Sequence, residues 1–320
     1  MRKEDNLQLN IKEKESTTAY IASLILMLAL SYVILLVPTG NAQTLLNYGI
    51  TQICYLIIPF IYLKWRGASY TSVVPVKGKI NPLGLLLTLP IALGSFLQNT
   101  IASVLFNNLL ILMGVTPSVS LPLTDTPLNI TLAILTVVVL PAISEEFLFR
   151  GVIASSYKQH GVMKACFLSS LIFALSHFNP AQLVHQFILG FILCATVLTT
   201  GNIWYAVIIH AINNLVALFI GDVIPAFNGL ATLNATNALI LLAMCVVGAI
   251  ILILSFIFFN RACAKDNLKI SGNPLKVLSK TKAPAYYENN GEKLSYITIG
   301  FLVFLAVMSI LTVLVQALSV

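Results

Sequence analysis

Two adjacent carboxylates, Glu145 and Glu146, stand inside an apolar stretch running from Ile130 to Ile153, and Arg150 follows four residues after the second. Two further polar sets interrupt neighbouring apolar segments: Phe173-Ala-Leu-Ser-His177 and His210-Ala-Ile-Asn-Asn214. A charged side chain at membrane depth costs roughly 2.5–3.5 kcal/mol on insertion scales, so such groups are kept where they have a use. Glu146 and Arg150 are spaced i,i+4, share a helix face and can pair, which keeps Glu146 ionised and offsets its burial. Glu145 then points about 100° away around the helix, towards another element. His210 and Asn214 have the same i,i+4 spacing, and Phe173 lies one turn from His177.

Hydrolysis is the chemistry these residue types support. A buried carboxylate beside a histidine can take a proton from water. A second histidine with an asparagine can donate hydrogen bonds to a developing oxyanion, worth about 2.7–4 kcal/mol per donor. Glu145, His177 and His210 also make up a two-histidine, one-carboxylate set of the kind that holds zinc. Against a metal stand the lack of an HExxH pattern and the origin of each ligand in a different segment. No cofactor is required on the favoured reading, and zinc is the alternative. Serine chemistry is weaker: Ser144, Ser169, Ser170 and Ser176 lie outside any GxSxG context. His160 and His185 are read as packing or hydrogen-bonding residues. Taken alone, the Glu-Glu-Arg set would suit a structural ion-pair network or an ion path; the coincidence of three sets favours a catalytic cavity.

The elements that must position these groups are membrane helices. Of the 320 residues, 58% are hydrophobic and only 9% charged, where a soluble domain carries about 25% charged residues. Mean hydropathy is +0.93. The expected fold class is all-α, a polytopic membrane helix bundle; the apolar runs are too continuous for the alternation of a membrane β-barrel. A span needs about 20 apolar residues. Candidates lie near 18–38, 45–63, 83–113, 130–157, 162–178, 183–200, 203–220, 238–259 and 296–318, or about 8–9 transmembrane helices. Pro90 and Gly94 leave open whether 83–113 is one helix or two, and Pro141 is expected to kink the fourth segment. Lys and Arg, 18 in all, fall at the N-terminus and in alternate loops, with Arg150 as the intramembrane exception. The positive-inside rule then sets the N-terminus in the cytoplasm and the C-terminus outside.

The net charge of +7 is accounted for by topogenic charge and attraction to anionic lipid headgroups, with no nucleic-acid partner implied. The five cysteines show no CxxC spacing and read as small packing residues. No cleavable signal pattern follows the polar start. The chain divides into a cytoplasmic tail (1–16), N-terminal membrane helices (17–125) and a core carrying the three polar sets (126–222). C-terminal helices with a basic cytoplasmic loop at 260–294 complete it (223–320).

Glu145-Glu146-Phe-Leu-Phe-Arg150-Gly151 resembles the EExxxR motif of the CAAX-protease and bacteriocin-processing (Abi) family of intramembrane endopeptidases. Phe173-x-x-x-His177 is similar to its second motif and His210-x-x-x-Asn214 to its third, in matching order. Gly190 and the turn Thr200-Gly201-Asn202 add to the likeness, which covers about 130–220. The resemblance implies a glutamate-dependent endopeptidase with a cavity open towards the cytoplasm, acting on a membrane protein or peptide. By motif position, Glu145 and His177 would activate water, and His210 and Asn214 would stabilise the oxyanion. Glu146, Arg150 and Phe173 would support the site. Bacterial relatives, the expected company, imply a cell-membrane location and roles in peptide maturation, bacteriocin immunity or regulation of signalling proteins. The rival classes are a non-proteolytic membrane regulator bound to a sensor or export protein, and a small proton-coupled transporter; the latter would more naturally show inverted repeats, and none is found.

Overall fold

The computed structural model describes residues 12–76, 79–232, 234–263, 294 and 296–318, which form helices joined by turns, with no strand among them. The tail up to residue 11 and most of the basic loop expected at 260–294 lie outside the described residues. Nine principal helices follow in order: α1 (Glu13–Ile34), α2 (Asn41–Trp65), α3 (Pro82–Leu112), α4 (Pro127–Tyr157), α5 (Val162–Leu175), α6 (Leu183–Thr200), α7 (Trp204–Val223), α8 (Ala235–Cys263) and α9 (Tyr296–Leu318). Seven of them are long and apolar enough to cross a membrane; α5 and the apolar stretch Ile297–Leu311 of α9 are shorter. The all-helical polytopic bundle read from hydropathy is the observed architecture.

Helix starts follow local chemistry. The Asn81 side chain accepts from the backbone N–H groups of Leu83 and Gly84, with Pro82 in the first turn, and so caps α3. Thr126, followed by Pro127, caps α4 in the same way through Asn129. α3 is one helix and not two: Pro90 lies inside it unbroken, as membrane helices tolerate when neighbours satisfy the freed backbone groups. Gly94 serves close packing, because a Cβ there would lie 2.9 Å from the backbone N of Leu252 and 3.0 Å from the carbonyl O of Gly248 on α8. This is the small-residue contact that lets membrane helices approach.

α6 is the most enclosed long helix, 61% of its residues being buried, against 17% for α8 at the periphery. α4 packs between two apolar clusters. Leu148, Phe149 and Ile153 join Tyr20, Tyr55 and Phe173 in one; Ala142 and Val152 join Leu189, Leu193 and Ile209 in the other. α4 is also irregular. Two π-helical runs, Ile134–Val139 and Glu146–Ile153, flank the α-helical run Leu140–Glu145. Pro141 stands in the first turn of that α run, directly after a π run, so the irregularity expected at the proline takes the form of widened turns. π-helical turns re-aim side chains relative to regular helix and recur at functional sites.

α5 departs from the span expected over 162–178. It stops at Leu175, and Ser176 and His177 form a turn. Phe178 follows in a left-handed conformation (φ 46°), unusual for an aromatic residue. Fourteen residues reach only about 21 Å at 1.5 Å each, less than the ~30 Å hydrocarbon core. His177 therefore sits at a helix end within the bundle.

One end of the bundle is bound by polar contacts. Ser16 and Ser156 hydroxyls meet at 2.6 Å, and Thr17 meets Thr298 at 3.2 Å, joining α1 to α4 and α9. Glu13 pairs with His160 and Glu15 with Arg66. His160 is thus a buried structural partner, as expected of it. All five cysteines are free thiols.

Candidate active site

The π-helical run starting at Glu146 buries the ion pair read from the i,i+4 spacing. Arg150 Nη1 donates to Glu146 Oε1 at 2.8 Å, and both side chains are fully buried. His210 of α7, also buried, places Nδ1 2.9 Å from the same Oε1. A carboxylate only accepts, so Nδ1 is the donor and Nε2 is left facing away from Glu146. The Arg150 guanidinium lies over the Phe173 ring, 4.3 Å from its centroid, a desolvated cation–π contact. Gly190 on α6 makes room for this stack: a Cβ there would fall 3.0 Å from Phe173 Cδ1 and 3.1 Å from Arg150 Nη2.

Phe173 is also the wall between the two histidines. Its ring meets His177 edge-on at 5.0 Å between centroids and His210 at 6.0 Å. His177 Nδ1 lies 2.8 Å from the Phe173 carbonyl, an acceptor, so Nδ1 carries the hydrogen. The Nε2 lone pair of neutral His177 is then available to a ligand.

Glu145 occupies a different environment one residue earlier. Its Oε1 accepts from Gln52 Nε2 of α2 at 2.9 Å, and its Oε2 lies 3.8 Å from His210 Nε2. The orientation inferred from the helix, with Glu145 turned towards another element, is the one observed, and that element is α2. Ser144 donates to Gln52 Oε1 at 2.6 Å, which gives this serine a supporting contact.

Asn214 lies on the α7 face towards α4, where its Nδ2 donates to the Val137 carbonyl of the first π run at 3.0 Å. One amide hydrogen is thereby used and the second remains. Its neighbour Asn213 is buried and bonds Ile209 O at 3.1 Å.

The structure thus brings Glu145, Glu146, Arg150, Phe173 and His210 into one contact set, with His177 against Phe173 and Asn214 fastened to α4. Gln52 was not found by sequence reasoning, although the signal existed: an amide in the middle of an apolar helix raises the same question as a carboxylate there. His185, read as a packing residue, lies within electrostatic reach of His177 and His210. Among the described residues, no three His, Cys, Asp or Glu side chains are gathered as metal ligands. Glu145, His177 and His210 do not fit a preformed zinc set, and no step below runs through a metal.

A family model described as Rce1-like, type II CAAX prenyl endopeptidase Rce1-like, matches residues 127–216. No curated protein and no solved structure matches the chain. The matched stretch runs from the start of α4 into α7 and contains the three motifs, while Gln52 lies outside it. Residues 127–216, which carry Glu145, Glu146, Arg150, Phe173, His177, His210 and Asn214, are similar to the Rce1-like family of type II CAAX prenyl endopeptidases.

Proposed function

We propose that the chain is an intramembrane endopeptidase that hydrolyses a peptide bond of a membrane-associated protein or peptide, with Glu145 as general base. The observation that carries this reading is the unequal treatment of two neighbouring carboxylates. Glu146 Oε1 is engaged by Arg150 and His210, whereas Glu145 is held through Oε1 and keeps Oε2 turned towards His210 Nε2 across 3.8 Å.

In the proposed reaction, Glu145 Oε2 and His177 Nε2 accept hydrogen bonds from a water and orient its oxygen towards the scissile carbonyl carbon. As the water attacks, its proton passes to Glu145. The carbonyl oxygen becomes an oxyanion that His210, on its Nε2 side, and the second amide hydrogen of Asn214 stabilise. Collapse of the intermediate breaks the C–N bond, and Glu145 returns the proton to the leaving nitrogen, yielding a carboxylic acid and an amine; the acid's proton then passes to the amine, leaving a carboxylate and an ammonium. Glu146 fixes His210 through Nδ1, and Arg150 holds Glu146.

The charge pattern of the loops supports a cytoplasmic N-terminus with anionic headgroups around the basic end, and the family resemblance supports a cavity open towards the cytoplasm in a bacterial cell membrane. Peptide maturation, bacteriocin immunity and regulation of a signalling protein are the fitting roles. The test is cleavage of candidate membrane-peptide substrates in cells expressing the wild type, Glu145→Ala, His177→Ala or His210→Ala at matched levels. Loss of product in all three is expected; unchanged product in all three refutes the protease reading.

A further inference from the structure

A buried catalytic carboxylate must be held in one orientation without being neutralised, and the family-matched segment contains no group that does this for Glu145. Its neighbour Glu146 has Arg150, but Glu145 has a neutral partner from a different part of the chain. Gln52 is buried on α2 and donates from Nε2 to Glu145 Oε1 at 2.9 Å.

The direction of that bond is fixed by the chemistry of the contacts. The Glu145 carboxylate can only accept, so the amide must turn its NH2 towards it and its oxygen away. The oxygen meets Ser144 Oγ at 2.6 Å, and Ser144 also lies 2.7 Å from the Leu140 carbonyl. A hydroxyl has one hydrogen. With the amide turned so that its NH2 meets Glu145, Gln52 Oε1 carries no hydrogen and the Ser144 hydroxyl is the donor at that end, with the Leu140 carbonyl as a second acceptor. The sequence Ser144 to Gln52 to Glu145 is therefore a directed chain that begins and ends on adjacent residues of α4. A flipped amide would set its oxygen against the Glu145 carboxylate oxygen, so the Glu145 end decides the orientation.

We infer that Gln52 is a positioning residue: it holds Glu145 through Oε1, leaves Oε2 towards the reacting water, and adds no charge that would weaken the base. Ser144 completes the chain by donating to the amide oxygen. The inference deepens the proposed function and rests on it for its catalytic meaning, while the geometric claim stands without substrate.

The experiment combines kinetics with infrared spectroscopy on the purified full chain in lipid nanodiscs. Gln52→Met keeps length and removes both hydrogen bonds; Gln52→Glu keeps shape and replaces the donor by an acceptor. Both should lower kcat by about 10- to 100-fold, the range expected from losing one hydrogen bond to a charged group, with KM within about twofold because substrate contacts are untouched. Ser144→Ala should show a smaller loss that is not additive with Gln52→Met, since the two act through one chain of bonds. The carboxyl bands of Glu145, isolated as the difference between the wild type and Glu145→Gln, should shift in the Gln52→Met background. Unchanged kcat in both Gln52 variants, or carboxyl bands that do not move, overturns the inference. If the wild type cleaves nothing, the protease reading falls by itself, and the infrared comparison alone then decides whether Gln52 holds Glu145. A variant that fails to fold is recognised by its lost thermal transition, and the other Gln52 variant then carries the comparison.

Discussion

Glu145 and Glu146 are neighbours in the chain and opposites in the structure. Glu146 is fully buried, with its Oε1 fastened to both Arg150 and His210. Glu145 touches a neutral amide and keeps an oxygen towards the imidazole. A carboxylate fastened to a cation and an imidazole serves well as scaffold and poorly as base. One bound through a single oxygen to a neutral donor has the opposite properties. The π-helical run beginning at Glu146 changes the turn of the helix where the two roles separate.

Breaking each side of this pair should therefore give different failures. The largest effect is expected for Glu145→Gln, which keeps shape and removes the base: cleavage should fall towards the upper end of the ~10²–10⁴-fold range for general-base catalysis, with the thermal transition near that of the wild type. Arg150→Met should act on stability first. It leaves Glu146 buried against His210 alone, and breaking a buried pair from one side costs about 3–5 kcal/mol, readable as an earlier thermal transition in detergent. Gly190→Ala sharpens the scaffold side, since the new methyl meets Phe173 and Arg150 at 3.0–3.1 Å and overpacking costs about 1–3 kcal/mol. The smallest effect is expected far from both carboxylates: Ser16→Ala removes the hydroxyl contact to Ser156 for about 0.5–1.5 kcal/mol, with kcat unchanged.

The sequence carries the scaffold side more clearly than the catalytic side. The Glu146–Arg150 pair is legible because both partners lie on one helix at a spacing that fixes their faces. The Phe173–His177 contact is legible for the same reason, although α5 ends between them. Which carboxylate His210 bonds is not legible, because spacing within α7 says nothing about how α7 sits against α4. Gln52 was hidden likewise: its role depends on α2 lying beside α4, a contact across 93 residues. The early end of α5 escaped because Ser176 and His177 follow an apolar run without a glycine or proline, and Asn179-Pro180 marks the break only later. The π runs of α4 leave no pattern, since a helix widened by one residue per turn buries much the same apolar side chains. Gly190 was noticed, but its reason, space for Arg150 against Phe173, needed the packed neighbours.

The most direct measurement follows one membrane-peptide substrate in oxygen-18 water by mass spectrometry, comparing wild type with Glu145→Gln in the same lipid. The expected result is a wild-type product with one heavy oxygen in its new C-terminal carboxylate, and no product from Glu145→Gln despite an intact thermal transition. Product of equal yield from Glu145→Gln, or a wild-type product without the label, would contradict Glu145-driven hydrolysis by water.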